Sequence, residues 1–200
     1  MNQGIPMVQE KANRDLRDIA ETQGWDGHEY HAEASVLEHG YGVWAPTFAA
    51  YSITILLYSI FETQLHSFAE YMGKKAKSNL QVKDIAGKGV TQTETYLNRV
   101  LSVSVKQDAV WSRLEDLRKL RNIIVHRGGR PGESSDQKAE VKRLLSTYQP
   151  ELELSRGDGF HEQIWISMQM CRGFAQDVDG FFERVFKTNG LPDRFGQLDS

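Results

Sequence analysis

Cysteine is nearly missing. Cys171 stands alone in 200 residues, so neither an intrachain disulfide nor a cysteine-based zinc centre can form, and folding has no need of an oxidising compartment. Positive charge is also short: 24 Lys and Arg against 27 Asp and Glu give a net −3. That excludes a globally basic, histone-like nucleic-acid binder and leaves room for a local basic site. No apolar run reaches the roughly 20 residues of a membrane helix. The longest, residues 48–61 (FAAYSITILLYSIF), stops at Glu62 and reads as a buried core helix. The polar N-terminal stretch, MNQGIPMVQEKANRDLRDIAE, lacks the apolar region of a signal peptide. Internal repeats and low-complexity segments are missing as well. With 40% apolar and 26% charged residues, the expectation is a globular, cytoplasmic protein with no membrane partner.

What is present is helical spacing along almost the whole chain. Val8, Ala12, Leu16 and Ile19 lie three or four apart, a surface helix with a thin apolar stripe over residues 8–22. Residues 24–42 mix glycines and aromatics with acids and suggest only a short helix over 31–38. Pro46 and Thr47 open the strongest element, with Thr47 as its cap and an unbroken pattern to about Lys77. Its first half is apolar nearly all round, the pattern of a helix buried on most faces. Residues 78–90 read as a loop. Thr91 with Glu94 matches a capping box for a helix over 91–103. Asp108 is the predicted cap of a helix that stops before Gly128-Gly129, and a shorter helix covers 138–148. Residues 151–155 (ELELS) alternate like a strand and 156–159 (RGDG) form a turn sequence, which admits one small β-hairpin near 151–165. A closing helix over 164–186 points Met168, Cys171, Ala175, Val178, Phe182 and Val185 inward. The fold class is all-α, a bundle of five to seven helices. Its parts are an N-terminal helical arm (1–44), a helical domain (45–187) and a C-terminal tail (188–200).

One segment stands out chemically. Residues 113–130 carry Arg113, Arg118, Lys119, Arg121, Arg127 and Arg130 against Glu115 and Asp116. That is +4, and the remainder of the chain must sum to −7. A positive field on an acidic body suits a phosphate site; the bland reading is a solvated helix face with pairs such as Glu115–Lys119. Val110, Leu114, Leu117 and Ile124 form an apolar stripe that lacks a member at position 121, where an arginine stands. A buried guanidinium needs a partner or a polar cleft, so Arg121 either pairs with Glu62 of the long helix or binds an anion. Asn122 and His126 share a helix face. Arg121 and His126, five apart, lie about 140° around the axis. Two copies of the helix meeting face to face would line one cleft with both residue types, so the spacing suggests a dimeric site.

The stretch Arg121-Asn122-Ile123-Ile124-Val125-His126 resembles the signature of the HEPN superfamily: an arginine, often a polar residue next, and a histidine after four to six intervening residues. The leucine-rich lead-in and the preceding apolar helix with its YSIFETQL pattern (residues 58–65, including Glu62) match that context. The resemblance covers about residues 45–187. It implies an HEPN-like helical bundle that forms a homodimer through the motif helices and, in many members, a metal-independent endoribonuclease of toxin–antitoxin, abortive-infection and anti-phage systems. Other members keep the fold and only bind RNA or assemble with proteins, which is the alternative here. Carried over by position, Arg121 and His126 are the catalytic pair and Asn122 the polar helper, with Glu62 in support. Arg118, Lys119, Arg127 and Arg130 become the RNA-binding cations. No metal and no cofactor is called for. Some HEPN toxins carry a tyrosine two residues after the histidine, which a partner nucleotidyltransferase modifies; Gly128 stands there, and any antitoxin or regulatory protein is a separate chain.

The residue types suit that chemistry. The RNA 2′-OH can attack the adjacent phosphorus without a metal. A histidine with a pKa near 6.5 exchanges protons at neutral pH, and a guanidinium stabilises the charge on the phosphorane oxygens. Other signals are weaker. His28, His31 and His39 read as surface histidines and Cys171 as core packing. Gly87-Lys88-Gly89 lacks the strand and the Gly-Lys-Ser/Thr ending of a phosphate loop.

Overall fold

The computed structural model describes residues 4–155 and 162–191. Among them the chain is all-α with one small antiparallel hairpin. It divides into two compact units, Met1–Ala50 and Tyr51–Ser200.

The first unit is a helical hairpin. Helix α1 (Gly4–Gln23) is followed by α2 (Gly27–His39), longer than the segment expected over 31–38. Asp26 sets the start of α2 through a reciprocal cap with Glu29: its Oδ1 accepts from the His28 and Glu29 amides at 2.8 Å, and its own N–H donates to Glu29 Oε2. Of the α1 stripe only Leu16 is buried; Val8 and Ile19 are exposed.

A π-helical turn, Gly40–Trp44, leads directly into α3 (Ala45–Lys75). Thr47 therefore caps nothing, because no free helix start exists there. Pro46 has no N–H to return to the carbonyl four residues back and its ring crowds that carbonyl, which accounts for the widened turn before it. By length and composition alone the helical run Gly27–Lys75 would suffice to cross a membrane.

In the second unit α3 is buried along one stripe rather than on most faces. Tyr51, Thr54, Tyr58, Phe61, Leu65 and Phe68 are buried, whereas Leu56 is 58% and Ile60 38% exposed. The stripe meets α5 (Trp111–Arg127) and α7 (Met168–Thr188). Phe61 packs against Trp111 at 6.0 Å and Phe181 at 5.6 Å between ring centres, and Phe68 against Phe186 at 5.8 Å. Each fully buried aromatic or aliphatic side chain here contributes about 1.5–3 kcal/mol.

Shorter elements close the ends. A 3₁₀ turn (Val82–Asp84) precedes α4 (Gly89–Arg99). The capping box expected at Thr91 is not formed: α4 starts two residues earlier and Lys88 at its cap position provides no side-chain bond. Glu94 is buried and pairs with Lys106 at 2.9 Å instead. Asp108 is likewise not the cap of α5, whose cap position is Val110. Its carboxylate accepts from the Val110 amide at 3.0 Å and is clamped by two bonds from Arg184. Helix α6 (Ser135–Tyr148) starts with a capping box between Ser134 and Gln137. Strands β1 (Leu152–Ser155) and β2 (Gln163–Ile166) pair with Leu152 opposite Ile166 and Leu154 opposite Ile164. The closing helix thus does not start at 164. Ile164 and Ile166 alternate with Gln163 and Trp165, and Ser167 caps α7 by accepting from the Met170 amide. The RGDG turn lies outside the described residues.

Candidate functional site

The motif helix α5 lies between three neighbours. Antiparallel to it runs α3, with Tyr51 beside Gly129, Tyr58 beside Arg121 and Phe61 beside Trp111. On another flank α6 is tied on through Asp116, which accepts from Arg143, from Lys119 at 3.3 Å and from the Tyr148 hydroxyl at 3.0 Å. α7 packs over the N-terminal end. Packing on several sides buries Trp111, Leu114, Leu117, Leu120, Ile123 and Ile124. The apolar stripe therefore continues through Leu120 and Ile123, not through position 121, and Arg121 sits half-buried on its flank.

The sequence-predicted residues occupy the remainder of the α5 surface, some toward α3 and some toward α6. Val125 (44% exposed) and His126 are exposed, and Arg118, Lys119, Arg121, Asn122 and Arg127 are half-buried. Arg121 lies over the Tyr58 ring, 5.7 Å from its centre, and donates from Nη1 to Asn122 Oδ1 at 3.1 Å. Its Nε is buried with no hydrogen-bond partner. Burial foremost, then the charge of Glu62, pushes the Tyr58 phenol up to about 12 against the opposing pull of Arg118 and Arg121, so a neutral ring lies under the guanidinium at neutral pH.

The alternative partner of Arg121 lies elsewhere. Among the described residues no ion pair joins Arg121 to Glu62. The Glu62 carboxylate points to the start of α4, where a Cβ on Gly89 would collide with Oε1. That helix end has no acidic residue in its first turn and no side-chain cap, so a carboxylate there is favourable.

The other predicted cations are partly committed. Arg118 pairs with Glu115 at 2.8 Å and Lys119 with Asp116, both three residues apart rather than the Glu115–Lys119 pair expected. Arg127 pairs with Glu140 at 3.4 Å and donates to the Pro131 carbonyl. Arg130 is exposed and enters no ion pair among the described residues. The helix end itself is fixed: Gly128, in a left-handed conformation, and Gly129 return their amides to Ile124 and Ile123. Gly129 accepts from the Ile164 amide at 2.9 Å, and Tyr51 donates to the Ile164 carbonyl at 2.6 Å. A side chain at Gly129 would collide with Tyr51.

His126 opens onto a cleft of about 1020 Å³. Arg127, Arg130, Lys138 and Lys142 supply its cations, Glu133 and Glu162 its acids, and Pro131, Val141, Leu145 and Leu154 much of its apolar wall. His126 reaches this cleft while Arg121 lies on the α3 side, so a single chain does not bring the two together. Sequence reasoning missed Tyr58 as the platform of Arg121, Asp116 as the tie to α6, and the α6 side of the cleft. Lys138 and Lys142, four apart on one helix face, were the available signal. Cys171 is buried on α7 with its sulfur 3.8 Å from Thr54 Oγ1. Among the described residues no group of three His, Cys, Asp or Glu gathers as a metal-binding cluster. The chain matches no protein-family model, no curated protein and no solved structure.

Proposed function

We propose that this chain is a metal-independent endoribonuclease of HEPN type, active as a homodimer through its motif helices and serving as a toxin or anti-phage effector in the cytoplasm, with a separate protein as regulator. The observation that carries the reading is Arg121, half-buried against α3, unpaired by Glu62 and with its Nε left without a partner, on the same helix as Asn122 and an exposed His126. A buried guanidinium nitrogen without a partner costs stability, and a function at this position would offset that cost.

In the proposed reaction the RNA 2′-oxygen forms a bond to phosphorus as its proton passes to one imidazole. The bond from phosphorus to the 5′-oxygen breaks, and that oxygen takes a proton from the imidazolium of the second subunit's histidine. Arg121 holds the charge that builds on the non-bridging oxygens, and its fork fits two of them. Meeting across a twofold axis, two α5 helices put the Arg121 of one chain near the His126 of the other. Exposed Val125 on that helix gives the contact an apolar element.

One observation favours the binding-only alternative. Within a single chain Arg121 and His126 face different neighbours, Tyr58 and the α6 cleft. Product chemistry decides between the two readings. Incubation with single-stranded RNA should give 2′,3′-cyclic phosphate and 5′-hydroxyl ends, and a fully 2′-O-methylated strand should stay intact. RNA that is bound but never cut supports the alternative.

A further inference from the structure

The cleft beside His126 contains more than a proton-transfer group needs. Val141, Leu145 and Leu154 form its aliphatic wall, and Arg130, Lys138 and Lys142 line it together with Glu133 and Glu162. None of these three cations enters an ion pair among the described residues, whereas the neighbouring Arg127 and Arg143 do. Lys138 and Lys142 lie one helical turn apart on α6 and are exposed. Unpaired cations around an apolar hollow match a ligand with an anionic edge and a flat apolar body.

We infer that this cleft holds an unpaired nucleotide of single-stranded RNA next to the phosphate at His126, the base against Val141, Leu145 and Leu154 and the backbone phosphates on Lys138, Lys142 and Arg130. The inference rests on the ribonuclease reading for the choice of ligand and adds to it a base-binding subsite on α6 and β1. A base can enter only if it is free of its complement, so the cleft selects single strands over duplex. Among the described residues its apolar wall is aliphatic, with the His126 imidazole as the one aromatic ring, so it tolerates sequence. Its volume of about 1020 Å³ lies at the upper end of ordinary ligand sites, leaving room for a base together with its sugar.

The test uses the full chain and a fluorescent 2′-O-methyl RNA decamer, which binds without being cut. Anisotropy should show that the single strand binds at least tenfold tighter than the same strand in a duplex, and tighter than an abasic strand of equal length. Replacing both lysines (Lys138→Gln with Lys142→Gln) should weaken binding about tenfold. It should also flatten the slope of log K against log salt by about 1.4, the value for two single-strand phosphate contacts. Both positions are exposed, and an unchanged melting curve certifies the variant's fold. Equal binding of single strand and duplex, equal binding of the abasic strand, an unchanged salt slope, or no binding to the wild type would each overturn the inference. The two readings fail separately. Cleavage that depends on His126 but ignores the lysine pair defeats the cleft and leaves the nuclease. The predicted binding pattern without any cleavage supports the cleft and defeats the nuclease.

Discussion

Replacing Arg121 with alanine separates a structural arginine from a functional one. Were the guanidinium the partner of a buried carboxylate, its removal would strand that charge and cost about 3–5 kcal/mol. The structure removes that premise, since Glu62 faces the start of α4. What Arg121→Ala loses is the contact with Tyr58, about 0.5–1 kcal/mol, and one hydrogen bond to the adjacent Asn122, of order 1 kcal/mol. What it gains is relief of the partnerless Nε, whose burial costs about 1–3 kcal/mol. The net change is within about 1 kcal/mol of zero, a shift of roughly 2–4 °C in melting temperature at this chain length. Thermal unfolding and RNA cleavage are to be measured on the same preparation. A folded dimer with near-native melting and cleavage reduced by about 2–4 kcal/mol of transition-state stabilisation is the expected result. A fall of roughly 6–20 °C, the equivalent of 3–5 kcal/mol, would refute the reasoning and make Arg121 a structural residue.

Two further outcomes follow from the same geometry. Burial pushes the Asp116 carboxyl up, but the bonds from Arg143 and Tyr148 and the charge of Lys119 outweigh it and hold the group below the usual carboxylate range. Its contribution is therefore complete above an ordinary Asp pKa of about 3.9 and is lost as pH falls through the lower folded value. Asp116→Asn should cost about 1.5–3 kcal/mol at pH 7 in urea unfolding and flatten the acid limb of the stability profile; an unchanged limb contradicts the network. RNA cleavage should persist in EDTA, because in the proposed reaction the substrate's own 2′-OH is the nucleophile and His126 and Arg121 supply proton and charge. Loss in chelator with recovery in magnesium would point to a carboxylate site instead.

Most of the helices were legible because their apolar residues repeat every three or four positions. What the sequence could not place depends on partners distant along the chain. Ile164 reads as the first turn of α7, since Met168 and Cys171 follow at helical spacing. Only pairing with Leu152 and Leu154 turns residues 163–166 into a strand. Position 121 looked like a gap in a four-three stripe because one packing face was assumed for α5; packing on several sides shifts the buried line to Leu120 and Ile123. Glu62 looked like the natural partner of Arg121, but its carboxylate lies beside the uncapped start of α4. The motif residues themselves were readable, since a motif at a helix end before Gly-Gly stays near the surface. The cleft was not, as half of it comes from α6 and β1.

The central claim is that His126 moves a proton in RNA cleavage, and single-turnover cutting of an end-labelled single-stranded RNA by wild type and His126→Ala tests it most directly. His126 is exposed at the end of α5, so the variant should keep its melting temperature and its dimer. Its cleavage rate should fall by roughly 10²- to 10⁴-fold, the worth of a general acid or base. Cleavage at the wild-type rate by a folded His126→Ala protein would contradict the account.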